Sequence, residues 1–120
     1  MTPSELEDRL INFAVSVIKI ADNLKNTRSA STMANQIVRS GTSPALNYGE
    51  AQSAESSNDF IHKCQIVLKE LRETYVSLKI ISRAELCNET IELQPALNEN
   101  NELISIFVAT VNKLKSRKIK

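Results

Sequence analysis

Apolar residues recur at intervals of three and four along nearly all of this 120-residue chain, the spacing that lines one face of an α-helix. The first such run is Leu6, Leu10, Phe13, Ala14, Val17, Ile18, Ala21 and Leu24. Thr2-Pro3-Ser4-Glu5 precedes it, with a capping hydroxyl, a proline at the first helical position and a glutamate three residues after the cap. Residues 25–31 lack the spacing and read as a connection. A second helix is predicted from Ser31 or Thr32 to about Gln52, with Met33, Ile37, Gly41, Pro44, Tyr48 and Ala51 on its apolar line. An interior proline deletes one helical hydrogen bond and crowds the preceding turn, costing about 3 kcal/mol in an isolated helix. The expectation is a helix kinked near residues 40–42 or broken into two near Pro44, and the residues leave that choice open.

Residues 53–58 form a polar joint, with Ser56 or Ser57 as cap and Asp59 in the first turn of the next helix. The third helix has the clearest periodicity: Phe60, Ile61, Cys64, Val67, Leu68, Leu71, Tyr75, Leu78 and Ile81, ending around Arg83. Residues 84–93 are ambiguous and read as a loop holding one short turn. Gln94-Pro95 then opens a last helix with Leu97, Ile104, Phe107, Val108, Val111 and Leu114 inward. No strand-like alternation competes. Four amphipathic segments with short joints predict one all-α domain over residues 1–120, an antiparallel up-down four-helix bundle.

Composition agrees with that reading. A chain with 42% hydrophobic and 24% charged residues folds as a globule, and two Gly with three Pro supply few tight turns for an all-β fold. Aromatics are only 4% with no Trp, so Leu, Ile, Val and Ala must fill the core. A net charge of +1 is small for a protein that coats nucleic acid, since each neutralised phosphate needs a cation. Cys64 and Cys87 form no CxxC pair and suggest no secreted disulfide scaffold. The first ten residues are polar and acidic without the apolar core of a signal peptide. No apolar run reaches the length of a membrane span. A reduced, cytoplasmic protein with no membrane partner is expected.

Candidate chemistry is sparse. Beside the apolar line of the second helix runs a polar one: Gln36, Arg39 or Ser40, Ser43, Asn47 and Glu50. In one account its small residues allow close helix approach while hydroxyls and amides satisfy backbone groups freed by Pro44. In the other it is a buried polar network, with Arg39 pairing to acids across the bundle or across a subunit boundary. Glu70 and Glu73 sit one turn apart on the third helix, either solvated or partners for a cation on another helix. A carboxylate-bridged di-metal bundle needs two Glu-x-x-His pairs, and this chain has one His in total. His62 and Cys64 fall short of a four-ligand zinc site, so neither a metal nor a cofactor is expected. His62 also lacks the partners of a Ser-His hydrolase, and no glycine-rich phosphate loop appears. At the C-terminus Lys113, Lys115, Arg117, Lys118 and Lys120 follow Asn112 with no acid among them. They read as compensation of the helix dipole, or as a basic tail for RNA or DNA phosphates. No aromatic lies among them to stack on a base.

The run Arg39-Ser40-Gly41-Thr42-Ser43, followed by Asn47-Tyr48 and Glu50-Ala51, closely resembles the signature of the 23S rRNA intervening-sequence proteins, also called four-helix bundle proteins. The likeness continues through Ala54, Ser56, Asp59-Phe60-Ile61, Lys63, Lys69-Glu70 and Glu73-Thr74, and persists at Glu102-Leu103. It implies an antiparallel four-helix bundle of a bacterial family that assembles into ring-like pentamers. A related group, the accessory proteins of diversity-generating retroelements, binds nucleic acid and a reverse transcriptase through a basic surface. This chain departs from the pattern at Pro44, usually aliphatic, at Gly49, often basic, and at Val76-Ser77, often an aromatic pair. The exchange at Gly49 and the near-neutral charge count against a nucleic-acid surface.

The leading expectation is therefore a non-catalytic, self-associating bundle serving as scaffold or adaptor, a pentamer by resemblance. Its subunit contacts are sought at Arg39, Ser40, Thr42, Ser43, Asn47 and Glu50 of the second helix and Glu70 and Glu73 of the third. The alternative is an oligomer that binds RNA or DNA through the C-terminal cations, in concert with Lys19, Lys25 and Arg28.

Overall fold

Three helix starts are set by a hydroxyl that accepts a backbone N–H three residues on. Thr2 accepts from Glu5, whose carboxylate in turn accepts from the Thr2 N–H, a complete capping box ahead of α1 (Pro3–Asp22). Thr27 accepts from Ala30 at the head of α2 (Arg28–Ala51), and Ser56 from Asp59 at the head of α3 (Ser57–Arg83). Pro95 stands in the first turn of α4 (Gln94–Ile119). The computed structural model describes residues 1–88 and 90–119, with side chains through Arg117. Among the described residues no strand forms, only an isolated bridge between Leu24 and Cys87.

Cross-contacts give the direction of each helix. Gly41 and Gly49 of α2 face Val17 and Glu7 of α1; Gln36, Ser40 and Glu50 of α2 meet Ser77, Thr74 and Lys63 of α3. Rising numbers on one helix meet falling numbers on the next, so consecutive helices are antiparallel. α4 lies against α3, where the Asn100 amide donates to the Leu71 carbonyl at 3.0 Å. It closes more sparsely on α1 through Arg9, whose guanidinium pairs with Glu99 and Glu102. The result is an up-down bundle 51 Å long and 23 by 21 Å across.

The core runs the length of this rod. Leu10, Val17, Ile37, Val67, Leu71, Leu78, Ile81, Leu103 and Phe107 are fully buried within it. At one level Tyr48 meets Phe107 edge to face, with centroids 5.5 Å apart and planes at 86°.

Several boundaries and faces differ from the sequence reading. α2 begins at Arg28 rather than Ser31 or Thr32, because Thr27 caps it and Ala30 is already buried. Residues 28–31 are thus helix and not connection. Pro44 does not split α2: the helix is unbroken from Arg28 to Ala51, with Pro44 on its buried side. Ile18 is 39% exposed, and Ile20 takes the buried place expected of it. On α4 the buried line is Ala96, Asn100, Leu103, Phe107 and Val111, while Leu97, Ile104, Val108 and Leu114 are only half-buried.

Residues 84–88 and 90–93 cap one end of the bundle. The Leu86 N–H donates to the Ile81 carbonyl and the Glu85 N–H to Ser82, which closes α3 with a Schellman turn. The loop is then stitched to the α1–α2 connection by Lys25 N–H to Leu86 carbonyl at 2.7 Å and Asn88 N–H to Asn23 carbonyl at 3.1 Å. Glu85 occupies the left-handed position of that turn, at φ 55°, where glycine carries no Cβ penalty. Glu85→Gly is expected to raise stability by about 0.5–1 kcal/mol, read as a higher urea midpoint at unchanged slope. An unchanged or lower midpoint would contradict it.

Candidate interaction face

The polar line of α2 is turned toward α3, and most of it is paired inside the subunit. Arg39 reaches Glu73 at 3.1 Å and Glu70 at 3.5 Å. Ser40 and Thr74, both fully buried, share a hydrogen bond of 2.9 Å, and the Thr74 hydroxyl also lies 2.8 Å from the Glu70 carbonyl. Glu50 pairs with Lys63 at 2.7 Å, and the Gln36 amide donates to Ser77 at 3.4 Å. Asn47 bonds Ser43 on its own helix, through both the carbonyl and the hydroxyl. Thr42 lies apart from this line and donates back to the Val38 carbonyl at 2.7 Å. Both accounts of the sequence are therefore realised in part. Small side chains bring α1 and α2 together at Gly41, and a polar seam joins α2 to α3.

Glu70 is the charge at stake in that seam. Its side chain is 10% exposed, whereas Arg39 is 62% exposed and therefore a screened partner. Burial raises the Glu70 pKa, the neighbouring Glu73 raises it further, and Arg39 and Lys69 offset only part of this. A carboxyl raised in the folded state holds its proton better there than in the unfolded chain. Its contribution is thus favourable at low pH and is lost as pH rises through the folded-state value. Glu70→Gln is expected to raise the thermal midpoint at neutral pH, with the gain shrinking toward pH 4.5, the carboxyl's ordinary value. A gain independent of pH, or a loss at neutral pH, would contradict this.

The outer side of the α2–α3 seam is an open groove of about 680 Å³. Leu68, Val76 and Ile80 of α3 form its apolar floor, and Val76 and Ile80 are 55% and 48% exposed. Arg39, Lys69 and Arg72 bring cations to it, and Glu73 is the one acid among its lining residues. Around Ile80 it continues toward Met33, Arg28 and Leu86. A second apolar surface lies on α1, where Ile11, Val15 and Ile18 are 46%, 43% and 39% exposed. Their spacing of four and three puts them in one stripe, beside the buried face and on the side of Ala14 and Ala21. Arg39, Glu70 and Glu73 stand out in the sequence by their charge, whereas the outward stripe and the pairing roles of Thr74, Ser77 and Lys63 emerge only from how the helices are set against one another.

Lys113, Lys115 and Arg117 are exposed on the last turns of α4; the side chain of Lys118 and the whole of Lys120 lie outside the described residues. In an up-down bundle those turns share an end with the start of α1. Lys19, Lys25 and Arg28 stand at the opposite end of the rod, so the two groups do not form one patch within a chain. His62 is exposed, Cys64 is buried with its thiol pushed up to about 11 by desolvation, and Cys87 is half-buried. Among the described residues no group of three or more His, Cys, Asp or Glu is placed to hold a metal ion. No helix is long and apolar enough to cross a membrane, among the residues described.

A model of the 23S rRNA-intervening sequence proteins matches residues 5–109, which include all of the polar seam and the groove. The chain belongs to that family. A crystal structure from Bacteroides thetaiotaomicron, of a protein of unknown function from the S23 ribosomal protein family, superposes with a TM-score of 0.82. It shares 31% sequence identity, and the match covers 93% of this chain and 99% of that one. No curated protein matches this family member. The resemblance drawn from Arg39-Ser40-Gly41-Thr42-Ser43 thus holds over nearly the full length. Within this intervening-sequence protein, that motif supplies the glycine of the α1–α2 approach and the Arg39 and Ser40 contacts to α3.

Proposed function

We propose that this intervening-sequence protein is a non-catalytic subunit that associates with copies of itself and works as a scaffold or adaptor. The observation that carries the reading is the apolar surface left outside the bundle. Ile11, Val15, Ile18, Leu46, Val76 and Ile80 are all between 39% and 67% exposed, although the core is already filled. Scattered apolar side chains are ordinary on a surface, and Leu46 is one of these, but the other five gather on the α1 face and along the α2–α3 groove. Arg39 and Glu73 line that groove, and Ser43, Asn47, Glu50 and Glu70 belong to the α2–α3 seam beside it; Arg39 and Glu73 are the polar contacts of the proposed assembly. A pentameric ring is the form that the family resemblance suggests. Sedimentation velocity at micromolar concentration is expected to give a species several times 13.4 kDa. A chain that sediments as a monomer over the whole range contradicts the proposal.

The C-terminal cations favour a second reading, an assembly that binds RNA or DNA. Lys113, Lys115 and Arg117 are exposed, and no acid occurs from residue 103 to the end of the chain. A ring would multiply this weak patch by its number of subunits. Binding of generic RNA should then weaken steeply between low and moderate salt. Binding indifferent to salt, or none at low salt, counts against it.

A further inference from the structure

We infer that the Ile11–Val15–Ile18 stripe of one copy seats in the α2–α3 groove of the next, so that subunits join head to tail. This rests on the self-association reading above and names its two mating surfaces. An amphipathic helix entering a groove presents anchors at i, i+4 and i+7, and residues 11, 15 and 18 have that spacing. Charge agrees at both sides. Exposed Asp8 and Asp22 bracket the stripe on α1, while Lys69 and Arg72 stand in the groove beside Arg39, whose charge is already met by Glu73 and Glu70. Lys19 borders the stripe on its outer side, and the groove holds one carboxylate, Glu73, on α3.

Height along the rod agrees as well. Val17 packs on Gly41, next to Ser40, and Ser40 is bonded to Thr74, so Val17 stands about level with Thr74. α1 and α3 run the same way at the same ~1.5 Å rise per residue. Ile11, six residues before Val17, is therefore about level with Leu68, six before Thr74, and Ile18 is level with Tyr75, beside Val76. A neighbour at equal height, as a closed ring requires, sets Ile11 against Leu68 and Ile18 beside Val76, with Val15 between them level with the aliphatic stem of Arg72.

The two surfaces lie on adjacent sides of a roughly square bundle: the stripe on the α1–α2 side, the groove on the α2–α3 side. A head-to-tail contact that turns by the angle between adjacent sides, about 90°, closes after about four copies rather than growing without end.

Two variants test the pairing. Val15→Glu with Ile18→Glu removes the stripe; Val76→Glu with Ile80→Glu removes the groove floor. All four positions are exposed, and far-UV circular dichroism checks that each variant remains helical. Each variant alone is expected to be a monomer. Mixed in equal amounts they should form a dimer and stop, because one retains only the groove and the other only the stripe. Where a double glutamate variant loses its helical signal, Val15→Ser and Val76→Ser are used, each expected to weaken association about tenfold. A wild-type monomer overturns the self-association reading together with this inference. A wild-type oligomer that either variant leaves intact, or two monomeric variants that fail to pair, overturns the inference alone.

Discussion

Replacing Gly41 by alanine is expected to destabilise the bundle by about 1–3 kcal/mol, the range for overpacking a tight interior. The sign is the informative part. At an open helical position the same change adds stability, since glycine is about 1 kcal/mol worse than alanine in a helix. Here a Cβ would stand 2.6 Å from Val17 Cγ1 and 2.9 Å from its Cβ and Cγ2. These are the branch point and arms of a fully buried side chain, which has nowhere to swing, so α1 must retreat. Val17→Ala should recover part of the loss in the Gly41→Ala background while costing stability on its own, an interaction that a double-mutant cycle measures. A stabilised Gly41→Ala variant, or strictly additive effects, would show that α1 and α2 are not held at this distance.

Phe107→Ala should cost more, about 3–5 kcal/mol, as truncation of a fully buried aromatic usually does. Phe107 brings α4 against the Tyr48 ring of α2, across the centre of the bundle. Because α4 packs far more extensively on α3 than on α1, loss of that ring leaves α4 held chiefly by α3. Urea denaturation followed by circular dichroism reads the effect. A change below about 1 kcal/mol would mean that this ring is not the central wedge described.

The four helices were legible in the residues because each has an apolar line at helical spacing and three have hydroxyl caps. α3 shows this best: Ser56 caps it and Arg83 ends it, as its pattern predicts. The faces were less legible where a helix carries more than one apolar line. In α1 both Leu10–Phe13–Val17 and Ile11–Val15–Ile18 have helical spacing, and periodicity does not say which stripe turns inward. Only the position of α2 and α4 around α1 decides it. In α4 the buried line contains Ala96 and the amide Asn100, so hydrophobicity favoured the flanking Leu97, Ile104 and Val108 instead. Asn100 hides for a physical reason, since its amide is spoken for only by a carbonyl on another helix.

The candidate site divides the same way. Arg39, Glu70 and Glu73 were visible as charges at turn spacing, and the structure places them together. Thr74 and Ser77 entered only through the family resemblance, being neutral residues whose importance comes from what α2 sets opposite them. Of the two expectations at Pro44, a kink or a split, the split does not form: α2 runs unbroken, clamped from two sides by Val17 at Gly41 and by Thr74 at Ser40. A local rule was overridden by tertiary packing.

Assembly is the claim on which the functional account turns, and native mass spectrometry of the untagged chain addresses it directly. One dominant closed species at a fixed multiple of 13.4 kDa is predicted, unchanged on moderate dilution. A single peak at the mass of one chain, or an unbounded ladder of multiples, would contradict it.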